Sequence, residues 1–175
     1  MMIKITNSIE RRMVIVGLTV ILSAITAMGQ QALPRVYDEQ ANPLEQIDNA
    51  VVQARAEAKN VVCQVGGNWC PWCLRFAAFI TSNEDIKQLI DSNYVYIHVN
   101  YNPAEATQQG EELMRRLNNP RRFGFPVLVV LDNDGKVIHT QDSALLEEGN
   151  GYSRDRVLRF FTNWTPAAVN APVKQ

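Results

Sequence analysis

The sequence predicts an α/β domain, a mixed central sheet covered by helices on both faces, preceded by a separate N-terminal signal segment. Three observations lead there. Short β-branched runs at 60–65, 94–99 and 127–131 alternate with stretches whose apolar residues recur at helical spacing, and strands separated by helices imply parallel pairing. Asp132-Asn133-Asp134-Gly135 joins two neighbouring runs as a hairpin, which adds antiparallel strands. Met13 to Met28 is almost without polar side chains and follows a basic start, unlike the rest of the chain.

Residues 1–29 read as a signal peptide. Lys4, Arg11 and Arg12 against Glu10 form the basic leader, the apolar stretch follows, and Ala27-Met28-Gly29 offers small residues where a signal peptidase reads. The apolar run of about 16 residues is shorter than the ~20 of a spanning helix; an uncleaved anchor is the other reading. Residues 30–165 form the domain and 166–175 a flexible tail. Leu33 to Pro43 is polar and loop-like. Asn42-Pro43 reads as a cap with proline at the first helical position, opening a helix to Lys59 in which Leu44, Ile47, Val51, Val52 and Ala58 recur between charges. Asn60 to Val65, bounded by Gly66-Gly67, is a buried strand. Helices follow at 71–80 and 83–91, the second capped by Ser82 or Asn83. A strand runs from Tyr94 to Val99, with Tyr94, Tyr96 and His98 on one face. A helix is expected over 104–117, strands over 127–131 and 136–140, a polar loop over 141–151, and a last amphipathic helix over 153–164.

Composition is that of one globular domain, 46% hydrophobic and 20% charged. Loss of the leader takes the net charge from −1 to −3, too acidic for a nucleic-acid stripe. Arg115-Arg116 and Arg121-Arg122 read as solvated surface. Membrane contact is expected only through an uncleaved leader, and the protein is expected to be a monomer.

Cys63, Cys70 and Cys73 all follow the leader, so export would place them where disulfides persist. Three cysteines are too few for a disulfide scaffold, and the C-x-x-C spacing of Cys70 and Cys73 suits a working pair. A strand ending in Gly66-Gly67-Asn68-Trp69, then a helix from Pro71, puts Cys70 at a helix N-terminus. Free N–H groups and the helix dipole favour a thiolate there. Cys73, one turn on, can attack a mixed disulfide formed by Cys70. Half of a zinc site and an inert disulfide remain alternatives; His98 and His139 lie on separate strands and no second C-x-x-C follows.

The run Val61 to Cys73, with Trp69-Cys70-Pro71-Trp72-Cys73 at its end, resembles the strand and active-site turn of thioredoxin-like proteins. Gly124-Phe125-Pro126-Val127 resembles the second signature of that family. The resemblance spans roughly 36–164 and implies the thioredoxin fold. It implies a cis Pro126 beside the cysteines and a substrate strand held at Phe125 and Pro126, with Trp69, Pro71 and Trp72 as further substrate contacts. Trp69 is expected beside the cysteines and Trp72 as an exposed contact. Asp142 to Leu146, with Gly151-Tyr152, resembles the exported bacterial branch. Two departures stand out. Thioredoxins carry a buried acid where this chain has Gln64, and the 53-residue spacing from Cys73 to Pro126 is long, with the extra length assigned to 101–120.

The resemblance therefore implies a thiol–disulfide oxidoreductase acting on protein disulfides outside the cytoplasm, periplasmic or secreted, without an organic cofactor or metal. Cys70 attacks, Cys73 resolves, and an unknown redox donor supplies electrons. No large helical insertion separates Cys73 from Pro126, which favours the reductase or isomerase direction over an oxidase. The competing reading is a non-catalytic binding module or metal carrier using the same cysteine pair.

Overall fold

The computed structural model describes residues 33–105 and 107–172; the signal segment read at 1–29 and the last three residues of the tail lie outside them. Helix α1 (Pro43–Glu57) starts where expected. The Asn42 side chain accepts from the N–H groups of Leu44 and Glu45, and Ala58 ends the helix in the left-handed region at φ 53°. Its core-facing side is Ile47, Ala50 and Ala54 with Leu44 and Val51 packed beside them, while Val52 and Ala58 stay exposed. Of the expected stripe only those two fall outside, and the small alanines let the helix approach the sheet closely.

Strand β1 (Asn60–Gly66) is buried along its whole length. Helices α2 (Pro71–Ser82) and α3 (Glu84–Asn93) follow, then β2 (Tyr94–Asn100). Asn83 opens α3 by position only, because its side chain donates back to the Phe79 carbonyl at 2.7 Å and closes α2 instead. Helix α4 (Gln108–Arg116) is shorter than the expected 104–117. Thr107 accepts the Gly110 N–H and caps the helix there, while Asn102 holds the Ala104 N–H in a turn. Strands β3 (Val127–Leu131) and β4 (Val137–Asp142) pair as the expected hairpin. The Asp132 carboxylate accepts from the Asp134 and Lys136 N–H groups, and Gly135 takes φ 81°.

The segment expected as polar loop contains a 3-10 turn, Ser143–Leu146, and a two-residue hairpin of β5 (Glu147–Glu148) and β6 (Gly151–Tyr152). Helix α5 (Arg154–Asn163) then buries Val157, Phe160 and Phe161. A short helix α6 (Pro166–Val169), capped by Thr165, occupies the start of the expected tail.

The sheet order is β2-β1-β3-β4, with β1 parallel to β2 and antiparallel to β3. Side-chain alternation along the strands builds two cores. On one face Val61, Cys63, Val65, Val99, Val127 and Val129 meet Ile47, Ala54, Leu113 and Met114 of α1 and α4. On the other, Val62, Tyr94, Leu128 and Val130 meet Phe76, Ile86, Ile90 and Phe161 of α2, α3 and α5. Each such apolar side chain contributes about 1.5–3 kcal/mol on burial, so both helical layers are fixed to the sheet that ends at the cysteines.

Candidate functional site

The site begins where β1 runs out. Gly66 and Gly67 end the strand, the Cys70 N–H donates to the Gly67 carbonyl at 3.1 Å, and Pro71 starts α2. Cys70 is the capping residue, with extended backbone and its Sγ accepting the Cys73 N–H at 3.2 Å. Proline costs no hydrogen bond at this first helical position. Cys70 and Cys73 form a disulfide, their Cα atoms 5.2 Å apart. Cys73 is fully buried and Cys70 is 5% exposed.

Opposite the pair, Gly124 at φ 77° leads into a cis Phe125–Pro126 peptide, in keeping with the resemblance. The Phe125 carbonyl oxygen stands 3.6 Å from the Cys70 Sγ. Pro126 is buried and Phe125 half-buried; Pro71 is exposed at the mouth. Trp69 and Trp72 exchange the places expected of them. Trp69, 45% exposed, sits edge-on to Phe125 and donates from Nε1 to the Tyr101 carbonyl at 3.1 Å. Trp72 is half-buried against the cysteine cluster, edge-on to Tyr152 and beneath the Arg75 guanidinium. The hydrogen bond to β2's end draws Trp69 outward, whereas the first turn of α2 directs Trp72 onto β6. Tyr101 also packs on Phe125, so the long connection does reach the rim of the site.

Sequence reasoning marked Gln64 at the position of the family's buried acid but missed Tyr37 and Tyr96, which complete the floor beneath the pair. Gln64, fully buried, donates from Nε2 to the Tyr37 hydroxyl and, at 3.0 Å, to the Cys73 carbonyl, while its Oε1 accepts from the Tyr96 hydroxyl at 2.6 Å. Both amide hydrogens and the carbonyl oxygen are used, as a buried polar group requires. Tyr37 arrives from the irregular segment before α1. Asn68 pins it there: its Oδ1 accepts from the Val36 and Tyr37 N–H groups and its Nδ2 donates to the Tyr37 carbonyl. A capable side chain for an Asx-type clamp lay in plain view at Asn68, but its partners lie more than thirty residues away.

His98 stands edge-on to both Tyr37 and Tyr96, with its Nε2 buried and without a partner among the described residues. Burial pulls its pKa from 6.5 down to about 4. The folded protein therefore resists a proton that the unfolded chain accepts, and stability falls as pH drops from 6.5 towards 4. In urea titrations across that window, His98→Phe is expected to flatten the decline while keeping the ring contacts; an unchanged slope would refute this.

Cys63 is buried on the opposite face of the sheet, paired in register with Ile97 and Val129. Burial pushes its thiol up to about 12, against a smaller opposing pull from Arg116, which leaves it unreactive near neutral pH. Among the described residues no group of three or more His, Cys, Asp or Glu side chains is placed to hold a metal.

A sequence model of a family described as "Thioredoxin-like domain" matches residues 47–147. A search of curated proteins returned no match. Among solved structures, the disulphide isomerase of Xylella fastidiosa Temecula1 superposes with a TM-score of 0.65 at 25% identity, over 75% of this chain and 98% of that one. A thioredoxin from Thermus thermophilus gives a TM-score of 0.49 at 20% identity, over 75% and 87% of the two chains. A DsbH oxidoreductase gives 0.46 at 15% identity, over 86% and 99%. The family match runs from within α1 to the start of β5, takes in both cysteines and Pro126, and covers more than half of the sequence: the chain belongs to the thioredoxin-like family.

Proposed function

We propose that the protein is a thiol–disulfide oxidoreductase acting on protein disulfides outside the cytoplasm, in the reductase or isomerase direction. The observation that carries this reading is the unlike setting of the two sulfurs. Cys70 caps a helix, receives a backbone N–H and faces the Phe125 carbonyl, whereas Cys73 is fully enclosed. A helix N-terminus stabilises the thiolate of the first sulfur.

In the reduced protein the Cys70 thiolate attacks one sulfur of a substrate disulfide. The substrate S–S bond breaks, one substrate sulfur leaves as thiolate and takes a proton, and a mixed disulfide joins Cys70 to the other. Cys73 then attacks the Cys70 sulfur. The second substrate thiol is released, and the Cys70–Cys73 disulfide holds the oxidation that the substrate lost. A thiol-class donor must return two electrons for the next cycle. No organic cofactor enters these steps.

Trp69, Pro71, Trp72, Phe125 and Pro126 form the rim, and we assign them to substrate contact. The exposed Trp69 ring and the backbone at Phe125 suit an extended chain laid across the pair. The Xylella structure, described as a disulphide isomerase, supports the same reaction class. The leader's composition supports a periplasmic or secreted location. No helix among the described residues is long and apolar enough to cross a membrane.

The test is reduction of insulin by dithiothreitol, with the redox midpoint measured on the same protein. Accelerated insulin precipitation is expected, with a potential at or below about −180 mV. A value near about −120 mV, that of a strong oxidant, would overturn the proposed direction.

A further inference from the structure

Cys73 has to lose a proton before it can resolve a mixed disulfide, yet it is sealed from water, and the side chain beneath it, Gln64, is an amide that neither takes nor gives a proton at neutral pH. One group with a spare hydrogen borders the same gap as this sulfur, although in the disulfide form it makes no hydrogen bond to it. A methyl placed on Gly66 would collide with the Cys73 Sγ and lie 3.1 Å from the Tyr37 hydroxyl oxygen. The space left by that glycine is therefore shared by the two heteroatoms. Tyr37 also belongs to the small cluster formed with Cys70 and Cys73.

The hydrogen-bond pattern fixes which way the Tyr37 hydroxyl works. Gln64 Nε2 donates to its oxygen, so that lone pair is occupied and the phenolic hydrogen remains to be given. No described residue accepts it. Burial raises the phenol well above its ordinary value, so the hydroxyl keeps this hydrogen through the physiological range.

We propose that in the reduced protein the Tyr37 hydroxyl donates a hydrogen bond to the Cys73 sulfur, favouring the thiolate of the resolving residue. The functional meaning of this bond rests on the exchange reaction above. In that reaction Cys73 gives up its proton, its sulfur bonds to Cys70, the Cys70–substrate bond breaks, and the released substrate thiolate takes up a proton. Tyr37 neither gains nor loses one over the cycle; it is a positioning residue for the charge on Cys73. The other titratable groups facing the pair are Tyr96 and His98 from β2, Tyr152 from β6 and Cys70 itself. Burial holds the two tyrosines and the histidine neutral near pH 7, which leaves the Tyr37 hydrogen as the local stabiliser of a buried sulfur anion.

The test is the pH titration of the cysteine 13Cβ resonances in the reduced full-length chain, for the native sequence, Tyr37→Phe and Asn68→Ala. Removing the hydroxyl is expected to raise the Cys73 midpoint by about half a unit or more, a threefold or greater loss of thiolate near neutral pH, with a smaller shift at Cys70. Asn68→Ala, which frees the segment bearing Tyr37, is expected to move Cys73 in the same direction. If the Cys73 midpoint stays put in Tyr37→Phe, or if both cysteines shift equally, the proposal fails. The titration needs no substrate. A chain inert towards insulin would overturn the oxidoreductase reading alone, and an active chain with an unmoved Cys73 would overturn the role of Tyr37 alone.

Discussion

Cys73→Ser is expected to accumulate covalent adducts with protein substrates on Cys70 and to lose turnover by on the order of a thousandfold. The reasoning follows the division of labour between the sulfurs. Cys70 keeps its place at the start of α2 in this variant, so the first attack proceeds. A serine hydroxyl cannot displace the substrate sulfur, and the mixed disulfide persists. Non-reducing electrophoresis and mass spectrometry would reveal the adducts and name the partners. Cys70→Ser should abolish both adducts and turnover, because Cys73 is fully buried and meets no substrate disulfide. Cys63→Ser should leave turnover intact, since its thiol lies across the sheet from α2. Full activity in Cys70→Ser would overturn the assignment of the attacking sulfur.

Gln64→Leu is expected to cost on the order of 3–5 kcal/mol of folding stability in urea unfolding, a large share of the roughly 5–15 kcal/mol that holds a typical domain together. Leucine fits the volume, so a cavity is not the cause. The loss comes chiefly from two groups around residue 64. The Tyr96 hydroxyl loses its acceptor and the Tyr37 oxygen its donor, while the Cys73 carbonyl keeps its place in the α2 ladder and loses only a second bond. Each buried polar group left without a partner costs about 1–3 kcal/mol, and the two sit in one network. A change below about 1 kcal/mol would mean that water or neighbouring groups replace these bonds.

The parts of the molecule that follow from local chemistry were legible in the sequence. Alternating β-branched runs located β1, β2 and β3, Asn42-Pro43 marked the start of α1, and Asp132 to Gly135 announced the hairpin. The C-x-x-C pair at a helix start was legible for the same reason, since strand, glycines and proline are adjacent in the chain. What failed was decided by competition between neighbours or by contacts at long range. Thr107 captured the cap of α4 from the residues before it. Asn83, a good start signal, was spent on the end of the preceding helix. Trp69 and Trp72 have equal claims on a site until Tyr101 and Tyr152 arrive to bind one each. Tyr37, Gln64 and Tyr96 meet at separations of 27 and 32 residues, and no periodicity along the chain records such a meeting.

The placement of Cys63 beyond the sheet gives the protein a built-in gauge of its own opening. Under reducing native conditions an alkylating probe should reach Cys70 and leave the enclosed Cys73 and Cys63 untouched, whereas the unfolded chain exposes all three. The number of labels per molecule, read by mass, therefore separates intact chains, labelled at the attacking thiol, from chains whose central sheet has come apart. Followed over time, uptake of the third label reports how often the intact domain opens globally, with no engineered probe and no perturbation of the site.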